Sequence, residues 1–150
     1  MLLPESPQTA SRLMDAVVEQ LPTGAEIVVP IANGEPVGLL DELEARADRL
    51  SGVRVHQMHV LRDRPYLHGT LRPNLEHVSW FLSSITRPLF HEGGCDFAPA
   101  NFSEVPRFLL AKEPAAVLAA ASPPDDLGYF SLGVSADYVA AMIGKVPFLL

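Results

Sequence analysis

At 150 residues, 48% hydrophobic and 19% charged, the chain is long enough for one globular domain with a core of its own and is not a disordered segment. A formal charge of −7 argues against nucleic acid or an anionic membrane surface as partner, since both reward basic patches. Its single cysteine, Cys95, excludes an internal disulfide, residues 1–6 carry no basic leader signature, and no apolar run reaches membrane-spanning length, so the chain reads as soluble and cytoplasmic.

The predicted elements alternate in type. Residues 8–21 form an opening helix, with Leu13, Val17 and Leu21 at helical spacing before Pro22, Thr23 and Gly24 stop it. The β-branched run at 26–31 is a buried strand. Asn33 and Gly34 turn the chain, Pro36 suits a first helical turn, and Leu39, Leu40, Leu43 and Ala47 give the next helix one apolar face. Ser51 and Gly52 close it, and residues 53–61 form a second strand. Residues 62–76 read as an irregular polar excursion and 78–82 as a third strand. A helix over 83–92 places Pro88 in its first turn if Thr86 is the cap. Residues 97–100 are a short strand, Ser103 caps a helix over 104–110, and the apolar run at 115–121 is a further buried strand.

Pro123 and Pro124 then forbid continuation in a sheet interior, and Asp125, Asp126, Leu127 and Gly128 supply turn chemistry. A short β-prone step at 129–131, a helix over 135–143 and an apolar strand at 146–150 complete the chain. Strands and helices spaced in this way predict an α/β fold, a mostly parallel sheet with helices on both faces and the whole chain as a single domain. Ligands in such sheets bind at the strand ends. The turns at 33–36 and 122–135 both follow predicted strands and are expected on one edge of the sheet, unless a hairpin at 129–132 swings Gly133 away.

Each candidate group has a structural alternative. The turn holding Asn33, Gly34, Glu35 and Pro36 either points backbone N–H groups at an oxyanion or phosphate or simply caps a helix. Glu35 reads as a first-turn acid favoured by the helix dipole rather than as a nucleophile. Ser131, Gly133 and Ser135 either line a site or only shape the turn, and neither serine sits in a Gly-x-Ser-x-Gly elbow. Asp125 and Asp126 belong to turn chemistry. His56 and His59 point to opposite faces of a strand, and His68, His77 and His91 follow no ligand spacing, so no metal site is expected. Cys95 reads as an inert buried thiol, Gly93 and Gly94 make no dinucleotide fingerprint, and Trp80 and Phe81 are assigned to the core.

The run Ser122-Pro123-Pro124-Asp125, then Gly128-Tyr129, then Ser131-Leu132-Gly133-Val134-Ser135, resembles the loop signature of the acetyl-CoA hydrolase/transferase family, which includes 4-hydroxybutyrate CoA-transferase. Ala32-Asn33-Gly34-Glu35-Pro36 is similar to that family's first Gly-Glu-Pro loop, Ser103-Glu104-Val105-Pro106-Arg107 to its Ser-Glu-x-Pro segment, and Ser135-Ala136-Asp137-Tyr138 extends the first match. The resemblance runs from about Thr23 to the last residue. It implies the N-terminal half of a duplicated α/β enzyme, an acyl-CoA:carboxylate CoA-transferase or an acyl-CoA hydrolase, with coenzyme A thioesters and a small carboxylate as substrates and no covalently bound cofactor. It further implies that Asn33, Gly34, Glu35, Pro36, Ser131, Gly133 and Ser135 contact substrate. The family's nucleophilic glutamate lies in the second half, so no residue here inherits that role, and the isolated chain is expected to be inactive, to need the other half or a partner subunit, and to form a homo-oligomer. The competing expectation is a non-catalytic binding or assembly module that kept the fold.

Overall fold

The alternation of buried residues sets the architecture. Ile27 and Val29 pack in one apolar cluster and Val28 in another; Ala116 and Leu118 repeat the first, Val117 and Ala119 the second. Successive residues of a strand face opposite sides, so both strands are buried on both faces, as a parallel sheet requires. A computed structural model describes residues 7–150; the leader reading of residues 1–6 falls outside them.

Six strands, β1 (Glu26–Val28), β2 (Val53–Met58), β3 (Leu75–Phe81), β4 (Asp96–Phe97), β5 (Ala116–Val117) and β6 (Phe148–Leu149), form one all-parallel sheet in the order β4-β3-β2-β1-β5-β6. The α/β class expected from the sequence is therefore the observed one. Helices α1 (Pro7–Val18), α2 (Val37–Glu44) and α3 (Thr86–His91) contribute to the first cluster through Met14, Leu40, Leu43 and Leu89. Helix α4 (Val105–Leu110) and a 3-10 turn (Val139–Met142) cover the other face through Val105, Leu109, Val139 and Met142. The chain winds outward from β1 to β4, crosses back over the opposite face, and continues outward through β5 and β6. The winding reverses between β1 and β5, which is where open α/β sheets leave a crevice at their C-terminal edge. Among the described residues no helix is long and apolar enough to cross a membrane.

Several local expectations need correction. The predicted helix over 135–143 shrinks to its last turn, because Asp137 adopts φ 23° and turns its carboxylate onto backbone N–H groups. Thr86 is not the cap of α3. Ser83 Oγ accepts the N–H of Ile85 and Thr86 at 3.2 Å each, while Thr86 Oγ1 accepts the Ser83 N–H at 2.9 Å, a reciprocal capping box. Ser103 caps nothing; the chain enters α4 through a 3-10 turn (Phe102–Glu104) held by Asn101, whose carboxamide reaches Glu104 at 2.9 Å. The excursion before β3 contains a 3-10 turn (Pro65–His68) that buries Tyr66 and Leu67. Trp80 is core as expected, but Phe81 at the end of β3 is 50% exposed.

Candidate functional site

The site grows from two strand ends. Beyond β1, Ala32 takes φ 48°, and a 3-10 turn (Ala32–Gly34) closes with Gly34 N–H donating to Ile31 O at 3.0 Å and Glu35 N–H to Ala32 O at 3.2 Å. Those two amides are engaged inside the turn and do not serve a ligand. Among the described residues, Asn33 has neither backbone nor side-chain hydrogen bonds to protein and lies exposed. Pro36 precedes α2 and accepts the Leu40 N–H at 3.1 Å.

Beyond β5, Ala120 N–H donates to Gly34 O at 3.2 Å, which ties the second loop to the first. The chain then doubles back on itself. Ser122 N–H donates to Ser131 O at 2.8 Å, Ser131 N–H to Ser122 Oγ at 2.9 Å, and Asp125 N–H to Tyr129 O at 2.8 Å. The Asp125 carboxylate collects the N–H groups of Leu127 and Tyr129, the turn role expected of it. A hairpin-like excursion therefore does exist, but its ends are pinned together. Residues 132–135 return to the rim, where Gly133 (φ 60°) donates to Ser131 Oγ at 3.0 Å.

Two side chains lock this return against the sheet. Asp137 Oδ2 accepts the Ile31 N–H at 2.9 Å, and burial pushes its carboxyl pKa above the ordinary value even though three backbone N–H groups oppose the shift. Tyr138 donates to Val29 O at 2.5 Å and accepts the Met58 N–H at 3.2 Å, so one phenol bridges the ends of β1 and β2. Sequence reading missed both as functional positions; Asp137 and Tyr138 stood only as an extension of the long motif, and their partners on the sheet lie eighty or more residues away.

Between the loops lies an open cavity of about 280 Å³. Asn33 and Gly34 of the first loop line it together with Ala120, Ala121, Ser122 and residues 131–135 of the second. The structure thus brings together Asn33, Gly34, Ser131, Gly133 and Ser135 on one edge of the sheet. Glu35 and Pro36 do not line the cavity. Glu35 is buried beneath the loop, its carboxylate 3.1 Å from Gln57 Nε2 and 3.3 Å from Arg64 Nε, with Arg62 Nη1 at 3.8 Å. Arg64 also bonds Asp41 at 2.7 Å, Glu44 at 3.1 Å and the Val37 carbonyl at 3.2 Å, which clamps the loop to α2.

Gly34 is where the two loops touch. A Cβ there would stand 2.6 Å from Pro30 Cβ and 2.6 Å from Ser135 Cβ, atoms fixed to backbone and unable to swing aside. Gly34→Ala is expected to cost about 1–3 kcal/mol in urea unfolding through overpacking. Gly38→Ala, inside α2 with nothing within 4 Å, should instead gain about 0.5–1 kcal/mol from helix propensity. Equal effects from the two substitutions would contradict the close approach of the loops.

Residues 12–146 match the acetyl-CoA hydrolase/transferase N-terminal domain. The chain is 35% identical over 124 residues to a succinyl-CoA:cyclohexane-1-carboxylate CoA transferase of Geobacter metallireducens, covering 82% of this chain and 28% of that protein. It is 31% identical over 126 residues to a 4-hydroxybutyrate coenzyme A transferase of Clostridium kluyveri, covering 83% and 29%. The chain therefore spans less than a third of the length of these curated relatives. Among solved structures, RipA from Yersinia pestis superimposes with a TM-score of 0.79 at 24% identity, over 96% of this chain and 37% of that one. A 4-hydroxybutyrate CoA-transferase from Porphyromonas gingivalis gives 0.69 at 22% identity, over 96% and 34%. At those identities the structural likeness carries the fold. With the match to the N-terminal domain extending over nearly all of the described residues, the chain belongs to the acetyl-CoA hydrolase/transferase family.

Proposed function

We propose that this chain is the N-terminal part of an acyl-CoA:carboxylate CoA-transferase or acyl-CoA hydrolase, and that the cavity between its two loops receives the acyl thioester. The observation that carries this reading is the meeting of the Gly34 and Gly133 loops at the point where the winding of the sheet reverses. The curated relatives named above act on CoA thioesters and carboxylates, and the same substrates are proposed here.

In this reading a glutamate from outside these residues attacks the thioester carbonyl, whose electrons move onto oxygen. The coenzyme A thiolate leaves, and an acyl-glutamyl anhydride remains. The thiolate then adds to the glutamyl carbonyl and releases the acyl carboxylate, leaving a glutamyl thioester that a second carboxylate, or water in a hydrolase, reopens. The chain's contribution is the wall around the developing oxyanion. With the Gly34 and Glu35 amides engaged in the turn, the donors open to that wall include the Asn33 amide and carboxamide and the hydroxyls of Ser131 and Ser135. Exposed Val134 on the cavity lining, with exposed Leu127 and Tyr129 on the excursion that precedes it, favours a covering surface supplied by the second half or by a partner subunit, a homo-oligomer included.

In this reading Glu35, held by Arg64 and Gln57, braces the loop and the attacking glutamate comes from elsewhere. The purified 150-residue chain is expected to bind acetyl-CoA and to show no hydrolysis or transfer to acetate, followed by release of free thiol. Turnover that disappears in Glu35→Gln would overturn the reading and make Glu35 the attacking group.

A further inference from the structure

We infer that Asp137 and Tyr138 are positioning residues for the proposed thioester site: their side chains stand in for two backbone rungs between β1 and β2 and so set where the Gly34 loop lies. The inference rests on the cavity being the acyl site, as proposed above, and concerns what holds that site in shape.

The ladder itself carries the argument. Strands β1 and β2 run parallel, with Val28 level with His56. In a parallel pair, every second residue bonds the neighbouring strand through both its N–H and its carbonyl. Arg54 N–H donates to Ala25 O at 2.9 Å, and Val29 N–H to His56 O at 2.9 Å. By the same alternation the next bonds would run from Met58 N–H to Val29 O and from Ile31 N–H to Met58 O. Side chains take both places. Met58 N–H donates to the Tyr138 hydroxyl at 3.2 Å, and that hydroxyl donates to Val29 O at 2.5 Å. One rung later, the Ile31 N–H goes to Asp137 Oδ2 at 2.9 Å.

A hydroxyl set between an N–H and a carbonyl holds two strands farther apart than a direct bond, because two hydrogen bonds then span the gap. On the other flank of β2 the register with β3 shifts between Gln57 and Met58, so β2 leaves regular pairing at one level on both sides. Freed from β2, Pro30 and Ile31 lead into the turn at Ala32–Gly34, and Gly34 O accepts the Ala120 N–H on the β5 side. Asp137 and Tyr138 follow Ser135 closely in the second loop. The segment that brings Gly133 and Ser135 to the cavity therefore also spaces the loop that brings Asn33 and Gly34. Asp137 keeps φ 23° in doing so, a backbone that a non-glycine residue holds only where its surroundings fix it. Val29 is wholly buried and Met58 6% exposed. Without the hydroxyl, Val29 O and Met58 N–H would be left unpaired, and the least costly remedy is to bond each other. That closes one rung and draws Pro30, Ile31 and the Gly34 loop toward β2.

The test uses the 15N,13C-labelled 150-residue chain, acetyl-CoA as probe, and the scalar coupling transmitted across an N–H···O=C hydrogen bond. Tyr138→Phe keeps the ring and its edge-on contact with Phe102. The unaltered chain is expected to show no coupling between Met58 N and the Val29 carbonyl carbon. In Tyr138→Phe that coupling should appear, the Gly34 amide should shift, and acetyl-CoA should bind at least about tenfold more weakly. Asp137→Asn retains an oxygen for the Ile31 N–H and should bind as the unaltered chain does, whereas Asp137→Ala should lose affinity. Unchanged affinity in Tyr138→Phe, however far its urea midpoint falls, makes the hydroxyl a packing group alone and overturns the inference. Weaker binding without the new coupling overturns it too, since the ladder would not be the route. Asp137→Asn binding no better than Asp137→Ala overturns the part assigned to Asp137. If acetyl-CoA moves neither Gly34 nor Gly133 in the unaltered chain, the acyl-site reading itself fails and the positioning role falls with it.

Discussion

Arg64→Met is expected to destabilise the chain by about 3–5 kcal/mol, the range seen when one partner of a buried ion pair is removed and the other charge is left behind. The Glu35 side chain is fully buried and Arg64 is 5% exposed, so water cannot take over the lost contacts. Glu44, whose carboxyl is already pushed up by burial against the opposing Tyr66 N–H and Arg64 charge, would lose its guanidinium as well. The double variant Glu35→Gln with Arg64→Met should recover part of the loss, because a neutral amide costs less to bury than a carboxylate. Urea unfolding of the four proteins measures both the loss and the coupling. A loss of less than about 1 kcal/mol would assign the cluster the energetics of exposed pairs and contradict the clamp on the Gly34 loop.

Acid is expected to weaken the fold well before the carboxylates titrate. His77 is wholly buried beside Tyr66, and neither ring nitrogen has a normal hydrogen bond among the described residues, the Val55 backbone giving only weak support. Burial, reinforced by the nearby His56, holds it down to about 3 from its ordinary 6.5. His56 is held low by burial as well, with Glu26 opposing. Its Nδ1 accepts the Trp80 indole N–H at 2.9 Å, which assigns the ring proton to Nε2, facing Glu26. A proton on Nδ1 would confront that N–H.

Both histidines bind protons more readily in the unfolded chain. Their contribution is therefore complete above the unfolded value of 6.5 and is lost as pH falls from there toward the folded values. The slope is up to about 1.4 kcal/mol per pH unit for each group. Glu26 acts lower down. Burial raises its carboxyl, but the His56 hydrogen bond and the charges of His56, Arg54 and Lys112 leave it below its ordinary 4.5, so its share is lost beneath that value. Urea midpoints followed from about pH 7.5 to about pH 5 should fall, with up to about 4 kcal/mol lost below the histidine range. His77→Leu should flatten the curve and add about 1 kcal/mol near neutrality by removing an unpaired buried group. A flat profile in the unaltered chain would contradict this placement of the two histidines.

What the sequence made legible follows from the range of the interactions involved. The alternation Ile27, Val28, Val29 is a local signal of a strand buried on both faces, and it is the central strand that results. The loop from Ser122 to Ser135 declared itself through prolines and glycines, and it does stand at the strand ends opposite Asn33 and Gly34. The position of Glu35 was not legible, because Gln57 and Arg64 lie 22 and 29 residues away and nothing local marks them as partners. Nor was the loss of the helix over 135–143. Its composition suits a helix, and only the long-range bonds of Asp137 and Tyr138 to β1 and β2 explain why the backbone gives it up. Phe81 failed for a related reason: it ends its strand at the rim, beyond the helices that cover Trp80.

The central claim is that two distant loops make one thioester site at the reversal point of the sheet. Titration of the labelled chain with acetyl-CoA, followed amide by amide, tests it most directly. The account predicts that Gly34 and Gly133 shift together and saturate along one binding curve, with Asn33 and Ser135 moving in step. Shifts confined to one loop, or centred instead on Arg54 and Lys112 beside Glu26 at the opposite edge of the sheet, would contradict it.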